Sequence, residues 1–118
     1  MIFSQSEMKN IAEECAEKIN TAKKGKNYFE EPYEHLVIDN FFPSKLADIC
    51  LENFPKISDP SWEHQNDKYI EVKSRTTWQS EFDIPVGILD AIRILNSSIV
   101  MKSISNIMEI HKLLPDPY

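Results

Sequence analysis

The sequence predicts an α+β fold in which helices pack on a small, incomplete sheet. Three observations predict it. Apolar residues recur at helical spacing in four segments, short runs at 36–38 and 69–78 have the composition or period of strands, and Pro, Gly and Asp-Asn breaks separate these patterns.

Ser4 followed by Glu7 has the spacing of a capping box, and Met8, Ile11, Ala12, Cys15, Ala16 and Ile19 then fall on one helical face. That helix is expected to end near "TAKKGKN", with Gly25 as its C-terminal cap and Lys23, Lys24 and Lys26 near the negative end of its dipole. Leu36, Val37 and Ile38 read as a short strand, ended by Asp39-Asn40 and packed on the helix that follows it. Pro43 and Ser44 start that helix, Ser44 being a candidate cap; Leu46, Ile49, Cys50 and Phe54 line one face, and Pro55 stops it.

"ISDPSWEHQNDK" reads as a polar loop. In "YIEVKSRTTW", Ile70 and Val72 alternate with Glu71 and Lys73, the period of a half-buried strand whose other face meets water or a ligand. Two further helical stripes follow, Ile88, Leu89, Ile92 and Leu95, then Val100, Ile104, Ile107, Met108 and His111, with "NSS" between them as break and cap. The expected organisation is an N-terminal helix and linker over 1–30 and a second region over 31–118. So few strands leave open sheet edges, so self-association through a sheet edge or the helix faces is expected, as a homo-oligomer.

Composition narrows the function classes. Hydrophobic residues make up 42% of the 118, enough to bury a core, so disorder is not expected. The formal net charge of -6 argues against a general nucleic-acid binder, which needs a basic footprint. With no apolar run near the ~20 residues of a membrane helix and no signal-peptide pattern, no membrane partner is expected and the cytoplasm is the expected location. Gly25 and Gly87 are the only glycines, which excludes phosphate-cradling loops built on several.

Nucleophilic catalysis finds no motif either, since no Gly-x-Ser-x-Gly elbow is present and Cys15 and Cys50 read as small core hydrophobes. His35, His64 and His111 lack mutual metal-ligand spacing and read as structural or solvated.

"PYEHLVIDNFFPSKLADICLENFP", Trp62, "KYIEVKSRTTW", the helix pair and "IHKLLPDPY" together resemble the N-terminal portion of the iron(II) and 2-oxoglutarate dependent oxygenases, in the prolyl 4-hydroxylase-like branch. The resemblance spans residues 31–118, and "VIDNFF" before a Pro-Ser helix start is its most specific motif. It implies the front part of a double-stranded β-helix, or jelly-roll, and a parent hydroxylase that uses ferrous iron and 2-oxoglutarate. It also implies that Lys73, Arg75 and Trp78 line a substrate mouth, where the residues alone read more simply as a solvent-facing strand.

That family holds iron with His-x-Asp or His-x-Glu and a distant His. Here Val37, Asn66 and Leu113 stand two residues after the three histidines, so none begins the motif. This chain is accordingly expected to bind no cofactor and to be inactive alone, with "LLPDPY" read as a mid-domain turn at which a longer protein was cut. The alternative reading is a small non-catalytic α+β interaction domain acting as a homo-oligomer or adaptor.

Overall fold

The Ser4 capping box forms as the spacing requires. In the computed structural model, which describes residues 2–67 and 71–116 (backbone alone for 66, 67, 71 and 72), Ser4 Oγ accepts from the Glu7 amide at 3.2 Å and Glu7 Oε1 accepts from the Ser4 amide at 3.3 Å. Helix α1 (Gln5–Asn20) follows, burying Ile11, Ala12, Cys15, Ala16 and Ile19 along one stripe.

It ends at Thr21, four residues before Gly25. Gly25 is therefore not the cap. It sits at φ +81 inside the next turn, where the Lys23 carbonyl accepts from the amides of Lys26, Asn27 and Tyr28. Lys24 turns to Glu30 at 2.9 Å, and the cation in the last helical turn is Lys18, which donates to the carbonyls of Asn40 and Phe41.

That turn leads into β1 (Tyr28–Phe29), which pairs antiparallel with β2 (His35–Leu36). The expected strand at 36–38 is thus shifted and short, and Val37 is exposed while Leu36 and Ile38 lie against the core. Asn40, at φ 55, takes the left-handed turn that ends the segment, a conformation Asn tolerates better than most residues.

Helix α2 (Ser44–Asn53) begins with Pro43, not Ser44, at the N-cap, and no side chain caps it. Leu46 is its buried residue, with Ile49 and Cys50 half-buried beside it, while Phe54 remains exposed at the C-cap.

β3 (Trp62–Asp67) lies where a polar loop is expected, and pairs antiparallel with β4 (Glu71–Thr76). "WEHQND" carries no apolar alternation, and its described side chains, from Trp62 to Gln65, are half-buried or exposed, so the usual periodic signal is missing. Ile70 lies outside the described residues, as do Pro117 and Tyr118 of the expected terminal turn.

A single 3-10 turn at Glu81–Asp83 precedes α3 (Ile88–Leu95), which a short break at Asn96 and Ser97 separates from α4 (Ser98–Met108). Ser97 caps α4 through the Val100 amide. His111 lies beyond that helix and is exposed.

The buried face of α3 is Asp90, Ala91 and Ile94, not the expected stripe of Ile88, Leu89, Ile92 and Leu95. Small residues decide this. A Cβ on Gly87 would lie 2.5 Å from Ile49 Cγ2, so α2 approaches closely only because that position is glycine, and Ala91 follows one turn later. Asp90 is fully buried: its Oδ2 accepts the Ile2 amide at 3.1 Å, while Oδ1 has no partner among the described residues.

Among the described residues the chain is therefore α+β, with four α-helices and two separate two-stranded antiparallel sheets. One core joins Phe3, Ile11, Ala12, Cys15 and Ile19 to Leu46, Ala91, Ile94 and Val100. It is formed by helix on helix, α1 against α4 and α3, and α2 against α3, not by helices covering a sheet. No helix among the described residues is long and apolar enough to cross a membrane.

The radius of gyration is 16.4 Å, where a compact chain of 118 residues has roughly 13–14 Å. The accessible surface is 8720 Å² against about 6,600 Å² expected at 13.7 kDa. The surplus, about 2,100 Å², is surface that a compact monomer of this mass would bury.

Candidate functional site: the polar hairpin and its base

The hairpin is closed at its open end by backbone and hydroxyl together. The Ser61 carbonyl accepts from the Thr77 amide at 2.8 Å and from Thr77 Oγ1 at 3.1 Å, one step beyond the Trp62 and Thr76 pair. Before it, Asp59 Oδ1 accepts the Ser61 amide at 2.9 Å, which shapes the entry turn and holds the Asp59 carboxyl below its ordinary range. Trp62 ties this base to the body: its indole donates to the Pro55 carbonyl at 3.3 Å, and its ring meets that of Phe54 with centroids 5.9 Å apart.

Register then sorts the side chains. Glu63 opposes Arg75 and Gln65 opposes Lys73, so these four share one face, while Trp62, His64, Ser74 and Thr76 share the other. On the first face Arg75 Nε donates to Glu63 Oε2 at 3.0 Å, and on the second His64 Nδ1 lies 2.6 Å from Ser74 Oγ. The Arg75 and Glu63 pair is exposed, and an exposed pair contributes only about 0–1 kcal/mol, so an incoming carboxylate can compete for the guanidinium.

Of the three residues assigned to a substrate mouth, Lys73 and Arg75 are brought together on one hairpin face, two positions apart, and both are exposed. Trp78 stands apart from them, two residues past the end of β4. It lines a surface concavity of about 460 Å³ with Asp59, Ser61, Thr77, Gln79 and Asp83. Asp83 Oδ2 accepts the amides of Gln79 and Ser80 at 3.0 and 3.2 Å, fixing the wall beside Trp78.

Asp59, Ser61 and Asp83 were not among the sequence-assigned residues. Their signals were nevertheless present: Asp-x-Ser is an Asx-turn pattern and "SEFD" has capping-box spacing.

His35 belongs to β2, its Nδ1 2.7 Å from the Tyr33 carbonyl and its ring stacked on Phe29. With His64 on the hairpin and His111 beyond α4, the described residues hold no cluster of three or more His, Cys, Asp or Glu side chains able to hold a metal ion. They supply no fit for ferrous iron. Both cysteines are free: burial pushes the Cys15 thiol up, and burial followed by the Asp90 carboxylate does so for Cys50, which disfavours the thiolate form at both.

Compared with family profiles, with curated protein sequences and with solved structures, the chain finds no match in any of the three.

Proposed function

We propose that this chain is the front part of an iron(II) and 2-oxoglutarate dependent oxygenase of the prolyl 4-hydroxylase-like type, a cytoplasmic hydroxylase, and that its role is to shape the substrate mouth. Iron and 2-oxoglutarate would be held by residues outside these 118, and no chemical step is assigned to any residue described above.

The observation that supports this reading most is the unburied surface. An accessible area about a third above that of a compact chain, with a core built mainly of helix on helix among the described residues, is what a helical layer has when the jelly-roll it covers is absent. An apolar recess of about 270 Å³ lined by Ile19, Leu36, Ile38, Phe41 and Ile104 is a place where further strands would pack. In this reading Lys73 and Arg75 give the mouth a pair of cations suited to an anionic or carbonyl-rich substrate, and Trp78 offers an aromatic wall.

The outward apolar residues of α2 favour a second reading, a non-catalytic interaction domain. The coding DNA beyond the Tyr118 codon separates the two. An open frame running into a glycine-rich strand, a His-x-Asp or His-x-Glu and a later His is the expected result. A stop codon at that point would overturn the oxygenase reading and leave the interaction domain.

A further inference from the structure

Helix α4 has a polar outward face with a second wall built beside it. Its inward side, Val100, Ser103, Ile104 and Ile107, is buried or packed on the core, and at about 100° per residue Ser98, Met101, Lys102 and Ser105 fall on the opposite side. The chain then doubles back along that face. Left-handed bends at Glu109 (φ 53) and Lys112 (φ 59) reverse its direction, and the Ile110 amide donates to the Ser105 carbonyl at 3.1 Å. At the far end the Asn96 side chain, ahead of α4, accepts the Asp116 amide at 3.2 Å and donates to the Asp116 carbonyl. The returning segment is thus fastened at both ends, and between it and α4 lies a surface concavity of about 540 Å³.

The charge of this concavity runs against that of the chain. Lys and Arg total 13 against 19 Asp and Glu, yet Lys102 and Lys112 line it and, among the described residues, no carboxylate does; Glu109 and Asp116 bracket it in sequence without lining it. Ser98, Ser105, Asn106 and His111 add hydrogen-bonding groups, and neither these side chains nor the two lysines have a hydrogen bond or ion pair among the described residues. By contrast Lys9, Lys18 and Lys24 are each paired with a glutamate. Met101, Ile110, Leu113 and Pro115 give the concavity an apolar flank.

We propose that this concavity binds a small organic phosphate monoester, its phosphate held by Lys102 and Lys112 and its apolar body set against Met101 and Leu113. A phosphate monoester carries about −1.5 to −2 charges near neutral pH, which two ammonium groups match, whereas a single carboxylate would leave one of them uncompensated. Lysine meets phosphate as a point charge, while flat, bidentate carboxylate recognition calls for arginine, and no arginine lines the concavity. Ser98, Ser105 and Asn106 can donate to the remaining phosphate oxygens. The volume falls within the ~300–1,000 Å³ of small-molecule sites, and the apolar flank has no use for a bare ion. The proposal does not rest on the oxygenase reading, whose anionic contacts are Lys73 and Arg75 on the hairpin.

Phenyl phosphate titrated into the isotope-labelled 118-residue chain, followed by amide chemical shifts at fixed pH and ionic strength, tests it. Saturable shifts are expected at Ser98, Lys102, Ser105, His111 and Lys112 and not at Lys23, Lys24 and Lys26, with inorganic phosphate binding more weakly and phenol giving no shifts. Lys102→Gln and Lys112→Gln should each weaken phenyl phosphate about threefold and the double variant about tenfold, the size expected of exposed charge contacts. Lys102→Arg should keep most of the affinity, and Lys26→Gln all of it. Lys26, Lys102 and Lys112 are exposed, so none of these variants removes a core contact. Shifts that do not saturate, shifts centred on Lys73 and Arg75 or spread equally over Lys23, Lys24 and Lys26, equal binding of phenol, or a double variant that binds as the wild-type chain does, would overturn the proposal.

Discussion

The helical body and the β3–β4 hairpin belong to one chain but are stabilised by different means. In the body, Cys15, Ile19, Leu46, Ile94 and Val100 are at most 1% exposed and touch a common core. Along the hairpin no described side chain is buried, and order comes from the ladder, the Ser61 and Thr77 closure and the Trp62 anchor. The difference teaches where the chain spends its hydrophobic residues. Burial holds the helices together, while the hairpin is held by its backbone hydrogen bonds and by pairs across its faces, Glu63 with Arg75 and His64 with Ser74. An isolated two-stranded hairpin is marginal in water, so its attachment at Trp62 matters more than its length.

The largest expected effect is in the body. Ile19→Ala should destabilise the chain by about 2–5 kcal/mol, a large part of the ~5–15 kcal/mol typical of a domain, read as a lower urea midpoint. A loss under about 1 kcal/mol would mean that the helices do not share the core described. Gly87→Ala should cost more than about 1 kcal/mol, because the residue sits at φ +91 and the new methyl group would displace Ile49.

The sequence shows the start of α1 and the break before α4, but not the cap of α2 or the end of α1. Ser4 with Glu7, and Ser97 with Val100, act locally, through bonds to amides within three residues, so their spacing alone announces them. The buried face of α3 was hidden because Ile88, Leu89, Ile92 and Leu95 are larger and more apolar than Gly87, Asp90 and Ala91. The fold turned on how near α2 could come, which is a tertiary fact. At the candidate site, the two-residue period places Lys73 and Arg75 on a strand, while a mouth at these residues is only what the resemblance implies. The pairing of Glu63 and the concavity at Trp78 were not legible, because cross-strand register appears only after the hairpin closes.

Acid should loosen the start of α1 while sparing its middle. The Ser4 amide donates to Glu7 and holds that carboxyl below its ordinary 4.5, so the stability it contributes is present above that value. It is lost as pH falls through the lower folded value. Amide exchange at Ser4 and Glu7 should therefore quicken, relative to Ile11 and Cys15, as pH falls below about 4.5, and Glu7→Gln should remove the dependence. Flat relative protection in the wild-type chain would contradict the capping box.

The smallest effect belongs to the hairpin. Arg75→Ala removes an exposed pair with Glu63 and should shift the unfolding midpoint by no more than about 0–1 kcal/mol. A larger loss would mean that the hairpin carries the core's load after all.

Native-state hydrogen exchange tests the separation of the two regions most directly. If the helices share one core and the hairpin stands outside it, amides of α1 and α4 around Cys15, Ile19 and Val100 should exchange only on global unfolding, while those of β3 and β4 exchange through a local opening at far lower free energy. Equal protection of the hairpin and α1 would contradict the account, because it would make the hairpin part of the cooperative core.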